Sequence, residues 1–170
     1  MRRTFADSLY DQMKENKDIW LVVGDLGYKV FDKHFEDFPE RCLNTGAAEQ
    51  SMLDISVGLA LKGKIPFVYT ITPFFLRGAE TISLYLSHEQ IPVHLVGSGR
   101  DQDYAHDGYS HDATQAQKFI HDMDLTEYYP KKKEDIPAMV RSMIASGKPS
   151  FISLPRAIPT MLRKCFSKPH

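Results

Sequence analysis

Apolar residues alternate along this chain between a helical rhythm and short continuous runs. Phe5, Leu9 and Met13 fall at helical spacing and predict an opening amphipathic helix. The run Ile19–Val23 that follows predicts a buried strand, closed by the turn Gly24-Asp25-Leu26-Gly27. The pairing then repeats, with a helix over 31–38, a short strand at 42–43, a long helix from about 47 to 61 and a strand over 66–71. Further strands are predicted at 93–96 and 151–154, with helices over 74–86, 114–121 and 135–145. Short apolar strands separated by helices of this length need a mostly parallel sheet covered on both faces, so the expected fold class is a three-layer α/β/α domain. No repeat, low-complexity tract or Pro/Ser-rich linker divides the pattern, which predicts one domain over residues 1–156. The tail 157–170, with Pro159, Arg163, Lys164, Lys168 and Pro169, has no period; it is expected to be loosely ordered or to pack on a partner.

Composition narrows the function classes. With 170 residues, 42% of them hydrophobic, the chain can bury roughly 70% of its unfolded surface without staples. Lys plus Arg is 21 and Asp plus Glu is 22, giving a net charge of −1 and no electrostatic footprint for nucleic acid or an anionic membrane. Cys42 and Cys165 form no CxxC pair, which argues against a disulfide framework or a zinc site and leads us to expect a reducing cytoplasm. A secretory h-region and an apolar run of ~18 residues are both missing, so a soluble, non-exported protein is expected.

Three stretches carry candidate chemistry. Asn44-Thr45-Gly46-Ala47-Ala48-Glu49-Gln50 opens the long apolar helix. A glutamate there is already favoured by the helix dipole, but a carboxylate at the mouth of a buried helix also needs a partner, and a proton-sharing ligand is one. Tyr69 to Gly78 lies at a strand's C-terminal end, where open α/β sheets bind ligands; Phe74 and Arg77 offer a ring to stack on and a cation for an anion, against ordinary packing for Phe75 and Leu76. The third, residues 97–112, holds four aspartates with His106 and His111. Ala105, His106 and Asp112 break the calcium-loop pattern, and two histidines five apart make a weak zinc pair, leaving either a solvated loop or one that supplies proton carriers. Walker, GxGxxG, GxSxG and HExxH motifs are missing.

Taken together, residues 38–50, 58–68, 91–99 and Asp107-Gly108-Tyr109-Ser110-His111 resemble, in order and spacing, the pyrimidine-binding domain of transketolase-type thiamine diphosphate enzymes, with Phe151 to Arg156 similar to that family's closing strand. The resemblance implies that Glu49 hydrogen-bonds N1′ of the aminopyrimidine, favouring the imino tautomer whose N4′ removes the thiazolium C2 proton. It implies that Phe74 packs on the pyrimidine ring and that His111 meets substrate oxygens or assists proton transfer. Arg77 would face a phosphorylated substrate, and Asp25 and His106 would lie along the substrate channel. Tyr109 stands where the family usually has Pro and Asp112 follows His111, so an altered acceptor side is expected. The family's Gly-Asp-Gly…Asn motif for Mg²⁺ and the diphosphate is missing, as is room for its third domain. The implied enzyme is therefore split: this chain supplies the pyrimidine half, a separate subunit holds Mg²⁺ and the diphosphate, and a 2+2 heterotetramer moves a two-carbon ketol unit from a ketose phosphate to an aldose-type acceptor. A 2-oxo acid dehydrogenase beta chain, a 1-deoxyxylulose-phosphate synthase-type subunit and a non-catalytic scaffold are the alternatives.

Overall fold

A computed structural model describes residues 1–156; the expected tail, with Cys165, lies outside the described residues. Six parallel strands form one sheet in the order β2-β1-β3-β4-β6-β5, from β1 (Ile19–Val23), β2 (Cys42–Asn44), β3 (Ile65–Ile71), β4 (His94–Ser98), β5 (Thr126–Tyr128) and β6 (Ser150–Leu154). The helices α1 (Arg2–Glu15), α2 (Asp32–Asp37), α3 (Glu49–Leu61), α5 (Thr114–His121) and α6 (Ile136–Ser146) flank it. The segment expected as one helix over 74–86 has mixed pitch instead: a 3₁₀ run Thr72–Gly78, a single α turn α4 (Ala79–Thr81) and a π run Ile82–His88. Strand β5 is an edge strand that the apolar pattern does not predict.

Side chains alternate across the sheet because strand residues point to opposite faces. Leu21, Val23, Phe67, Tyr69, Val96, Ile152 and Leu154 join Phe5, Leu9 and Met13 of α1 and Val140 and Met143 of α6 in one core. Val22, Val68, Leu95 and Phe151 join Met52, Leu53 and Val57 of α3, together with Phe75, Ile82, Leu86 and Ile120, in the other. The three-layer α/β/α expectation is met.

Two histidines are sealed into this framework. His34 Nε2 meets the Ala6 carbonyl oxygen at 3.1 Å, and His94 Nδ1 meets Ser150 Oγ at 2.8 Å. Burial lowers both from the usual 6.5 to about 4. The unfolded chain therefore takes up protons near pH 6.5 that the folded chain refuses until about pH 4. Their contribution to stability is whole above pH 6.5 and is lost on acidification, by up to about 1.4 kcal/mol per pH unit for each ring. The urea midpoint is expected to fall between pH 7 and pH 5, and His94→Gln to flatten that fall; an unchanged slope in the variant would remove His94 from the account.

Candidate active site

The chain leaves β1 toward β2 on one side and leaves β3 toward β4 on the other, so the adjacent C-terminal ends of β1 and β3 flank a switch point where open α/β sheets form ligand crevices. The loops after β1, β2, β3 and β4 converge on this edge and carry every candidate residue. Asn44 ties two of them together: its Oδ1 accepts from the Asp25 N–H at 3.1 Å and from the Gly46 N–H at 2.9 Å. Asp25 itself adopts φ 46°, in the left-handed region that non-glycine residues rarely enter, and its side chain is exposed.

Glu49 is the first residue of α3. Met52 and Leu53, three and four residues on, face the sheet, and the same helical period turns Glu49 inward, leaving it 2% exposed. Its carboxylate Oε2 accepts from Arg77 Nη1 at 2.6 Å, while Oε1 has no hydrogen-bond partner among the described residues. The Arg77 guanidinium carbon sits 4.1 Å from the centre of the Phe74 ring, and Phe74 meets the His111 ring edge-on at 5.2 Å. Glu49, Arg77, Phe74 and His111 thus form one continuous contact chain, built from the heads of three loops. Beside it lies a cavity of about 330 Å³, walled by Pro73, Leu76 and Tyr109 on its apolar side and by Gln102, Ser110 and Asp112 among its polar groups; no Lys or Arg lines it. Asp112 Oδ1 accepts the Thr114 N–H at 2.8 Å, and Ser110 Oγ lies 3.1 Å from His111 Nδ1.

His106 is held in a separate group. Its Nε2 lies 3.2 Å from Arg156 Nη1 and 3.3 Å from Asp107 Oδ2. Arg156, which no spacing singled out as a site residue, also lies over the Tyr104 ring at 5.1 Å and anchors its backbone N–H on Asp103 Oδ2 at 2.7 Å. A cation just past the C-terminal end of a parallel strand was the available signal for it. Tyr104 in turn hydrogen-bonds Ser98 and Arg2.

The arrangement fits an aminopyrimidine: an aromatic face at Phe74 and a buried carboxylate with one oxygen uncommitted. Among the described residues no three His, Cys, Asp or Glu side chains are grouped so as to hold a metal ion. Nor is any helix among them long and apolar enough to cross a membrane.

A family model described as "Transketolase, pyrimidine binding domain" matches residues 1–160. The chain is 26% identical over 159 residues to the 6-deoxy-6-sulfo-D-fructose transketolase subunit SqwH of Clostridium sp. (strain MSTE9), covering 92% of this chain and 49% of that one. It is 27% identical over 164 residues to a putative transketolase C-terminal section of Methanocaldococcus jannaschii, covering 92% and 50%. Among solved structures it superposes on one titled "Split gene transketolase, inactive beta4 tetramer" with a TM-score of 0.80 and 25% identity, over 93% of this chain and 52% of that chain. The chain spans about half the length of these relatives.

Proposed function

Because the chain belongs to the transketolase pyrimidine-binding domain family, we propose that it is the pyrimidine-binding subunit of a two-component transketolase. In this reading it moves a two-carbon ketol unit from a ketose phosphate to an aldose-type acceptor and works only with a separate subunit that holds Mg²⁺ and the diphosphate. The observation that carries it is Glu49, buried at the head of α3 and joined through Arg77 to the Phe74–His111 pair. The names of the relatives support it, two being described as a subunit or a section and one as an inactive tetramer of beta chains.

When bound, thiamine diphosphate supplies the electron sink that lets the carbon–carbon bond beside a ketone break. Phe74 would pack against its ring. Glu49 would hold a proton at Oε1 toward the ring nitrogen, and burial would keep water from competing for it. His111, edge-on to Phe74, serves as hydrogen-bond donor or acceptor to substrate oxygens. The neighbouring cavity suits a hydroxyl-rich acceptor: amide, hydroxyl and carboxylate groups meet hydroxyls, while Pro73 and Tyr109 meet C–H faces. Asp25 and the His106–Arg156 group line the approach for the rest of the substrate, Arg156 supplying positive charge for a phosphate.

The test is reconstitution. The chain is combined with a diphosphate-binding transketolase subunit from the same cell, and retained thiamine diphosphate, assembly mass and ketol transfer are measured. A 2+2 complex that retains cofactor and turns over ketose phosphate is expected, with neither chain active alone. A complex that assembles yet neither retains cofactor nor turns over would make this chain a scaffold.

A further inference from the structure

We propose that Arg77 is a positioning residue for Glu49, fixing which carboxylate oxygen is offered to the pyrimidine, rather than a group that binds a substrate phosphate; this rests on the function proposed above. A buried carboxylate is costly unless paired, and the cationic partner Glu49 has is Arg77, from a different loop 28 residues away. That contact commits Oε2 and leaves Oε1 open.

Two local features bring the arginine there. In a 3₁₀ run, residues i and i+3 eclipse, so the Thr72–Gly78 turn places Arg77 directly over Phe74. Gly78, next in sequence, has no Cβ, and one would run into Leu53. The missing atom lets this turn close on α3 beside Leu53, the residue one helical turn beyond Glu49. The guanidinium therefore joins the two groups that meet the ring: a hydrogen bond to Glu49 and a cation–π contact with Phe74. Its Nη1 is committed to Glu49 and its guanidinium carbon to the Phe74 ring, while the side chain as a whole stays half-exposed.

The experiment uses the reconstituted complex and its Arg77→Met, Arg77→Lys, Glu49→Gln and Glu49→Gln/Arg77→Met variants. Thiamine diphosphate affinity is measured by calorimetry in Mg²⁺, and KM for a ketose phosphate by steady-state kinetics. Arg77→Met is expected to weaken cofactor binding and lower kcat by at least about tenfold, with the donor KM unchanged, and Arg77→Lys to recover part of both. In the Glu49→Gln background Arg77→Met should add nothing, since the two residues act as one unit. A donor KM raised about tenfold with cofactor affinity intact, or additive effects in the double variant, would overturn the proposal in favour of phosphate binding. A second readout needs no cofactor: in ¹⁵N-arginine NMR of the isolated chain, the Arg77 guanidinium, identified by its absence in Arg77→Met and distinct from the backbone-held Arg41 and Arg100, should rotate slowly and lose that restraint in Glu49→Ala. A freely rotating Arg77 would overturn the pairing itself. A wild-type complex that takes up no cofactor while the slow guanidinium is present would instead overturn the proposed function, and the positioning role with it.

Discussion

Glu49→Gln in the reconstituted enzyme is expected to reduce ketol transfer by about 10²–10⁴-fold while leaving the chain folded and assembled. The two consequences separate for a physical reason. Glutamine keeps the volume and the carbonyl acceptor that Arg77 Nη1 reaches at 2.6 Å, so packing around the head of α3 is preserved. The charge lost was buried and costly to hold, and the cation left behind is half-exposed and can be hydrated. The stability change is therefore expected within about 1 kcal/mol, read from the urea midpoint. The amide cannot hold a transferable proton, so the catalytic loss follows from chemistry and not from unfolding. Turnover within about tenfold of wild type, in a variant of unchanged stability, would return Glu49 to the role of an acid favoured by the helix dipole.

How much of this site could be read from the chain depended on sequence distance. Helix α3 was legible as a long apolar segment, but the all-round burial its composition suggests is not found: Ile55 and Leu61 are exposed, and buried positions recurring at three and four residues carry Glu49 inward. Strands β1, β3, β4 and β6 were legible as short apolar runs. Strand β5 was not: Thr126-Glu127-Tyr128 is three residues long, lies at the sheet edge and carries a charge at its centre, and edge strands need no apolar run. The stretch 72–88 reads as an ordinary helix by its apolar spacing, but the chain winds as 3₁₀ over Thr72–Gly78 and as π over Ile82–His88, pitches that apolar spacing does not tell apart from an α-helix. Phe74 and His111 emerged from local motifs. The Glu49–Arg77 contact did not, because a pair 28 residues apart leaves no mark on local pattern, and neither did the His106–Arg156 pair, 50 apart. Each depends on which strands the sheet makes neighbours.

That dependence makes the sheet itself a determinant of the site, and Gly97→Val is the substitution expected to expose it. Gly97 lies in β4, paired with Thr70 of β3 and Ser153 of β6. A Cβ built there would come within 2.5 Å of Thr72 Oγ1 and 2.7 Å of Phe151 Cε2, both buried and neither at the loose end of a flexible chain. Valine adds two further methyl groups to this clash. Overpacking a filled core costs about 1–3 kcal/mol, and the expected loss is at the upper end, about 3 kcal/mol, lowering Tm by roughly 6–12 °C in a chain of this length. The consequence should reach the site, because Thr72 opens the 3₁₀ turn that carries Phe74 and Arg77 and is itself held by a 2.6 Å hydrogen bond to the Gly99 carbonyl oxygen. Moving Thr72 shifts that turn relative to α3 and pulls Arg77 away from Glu49. Gly97→Val is therefore expected to lose the slow Arg77 signal and to weaken cofactor binding at temperatures where the chain is still folded by circular dichroism. If the signal persisted while Tm fell, the clash would be absorbed by the Phe151 core alone, and the Thr72–Gly78 turn would be anchored independently of β4.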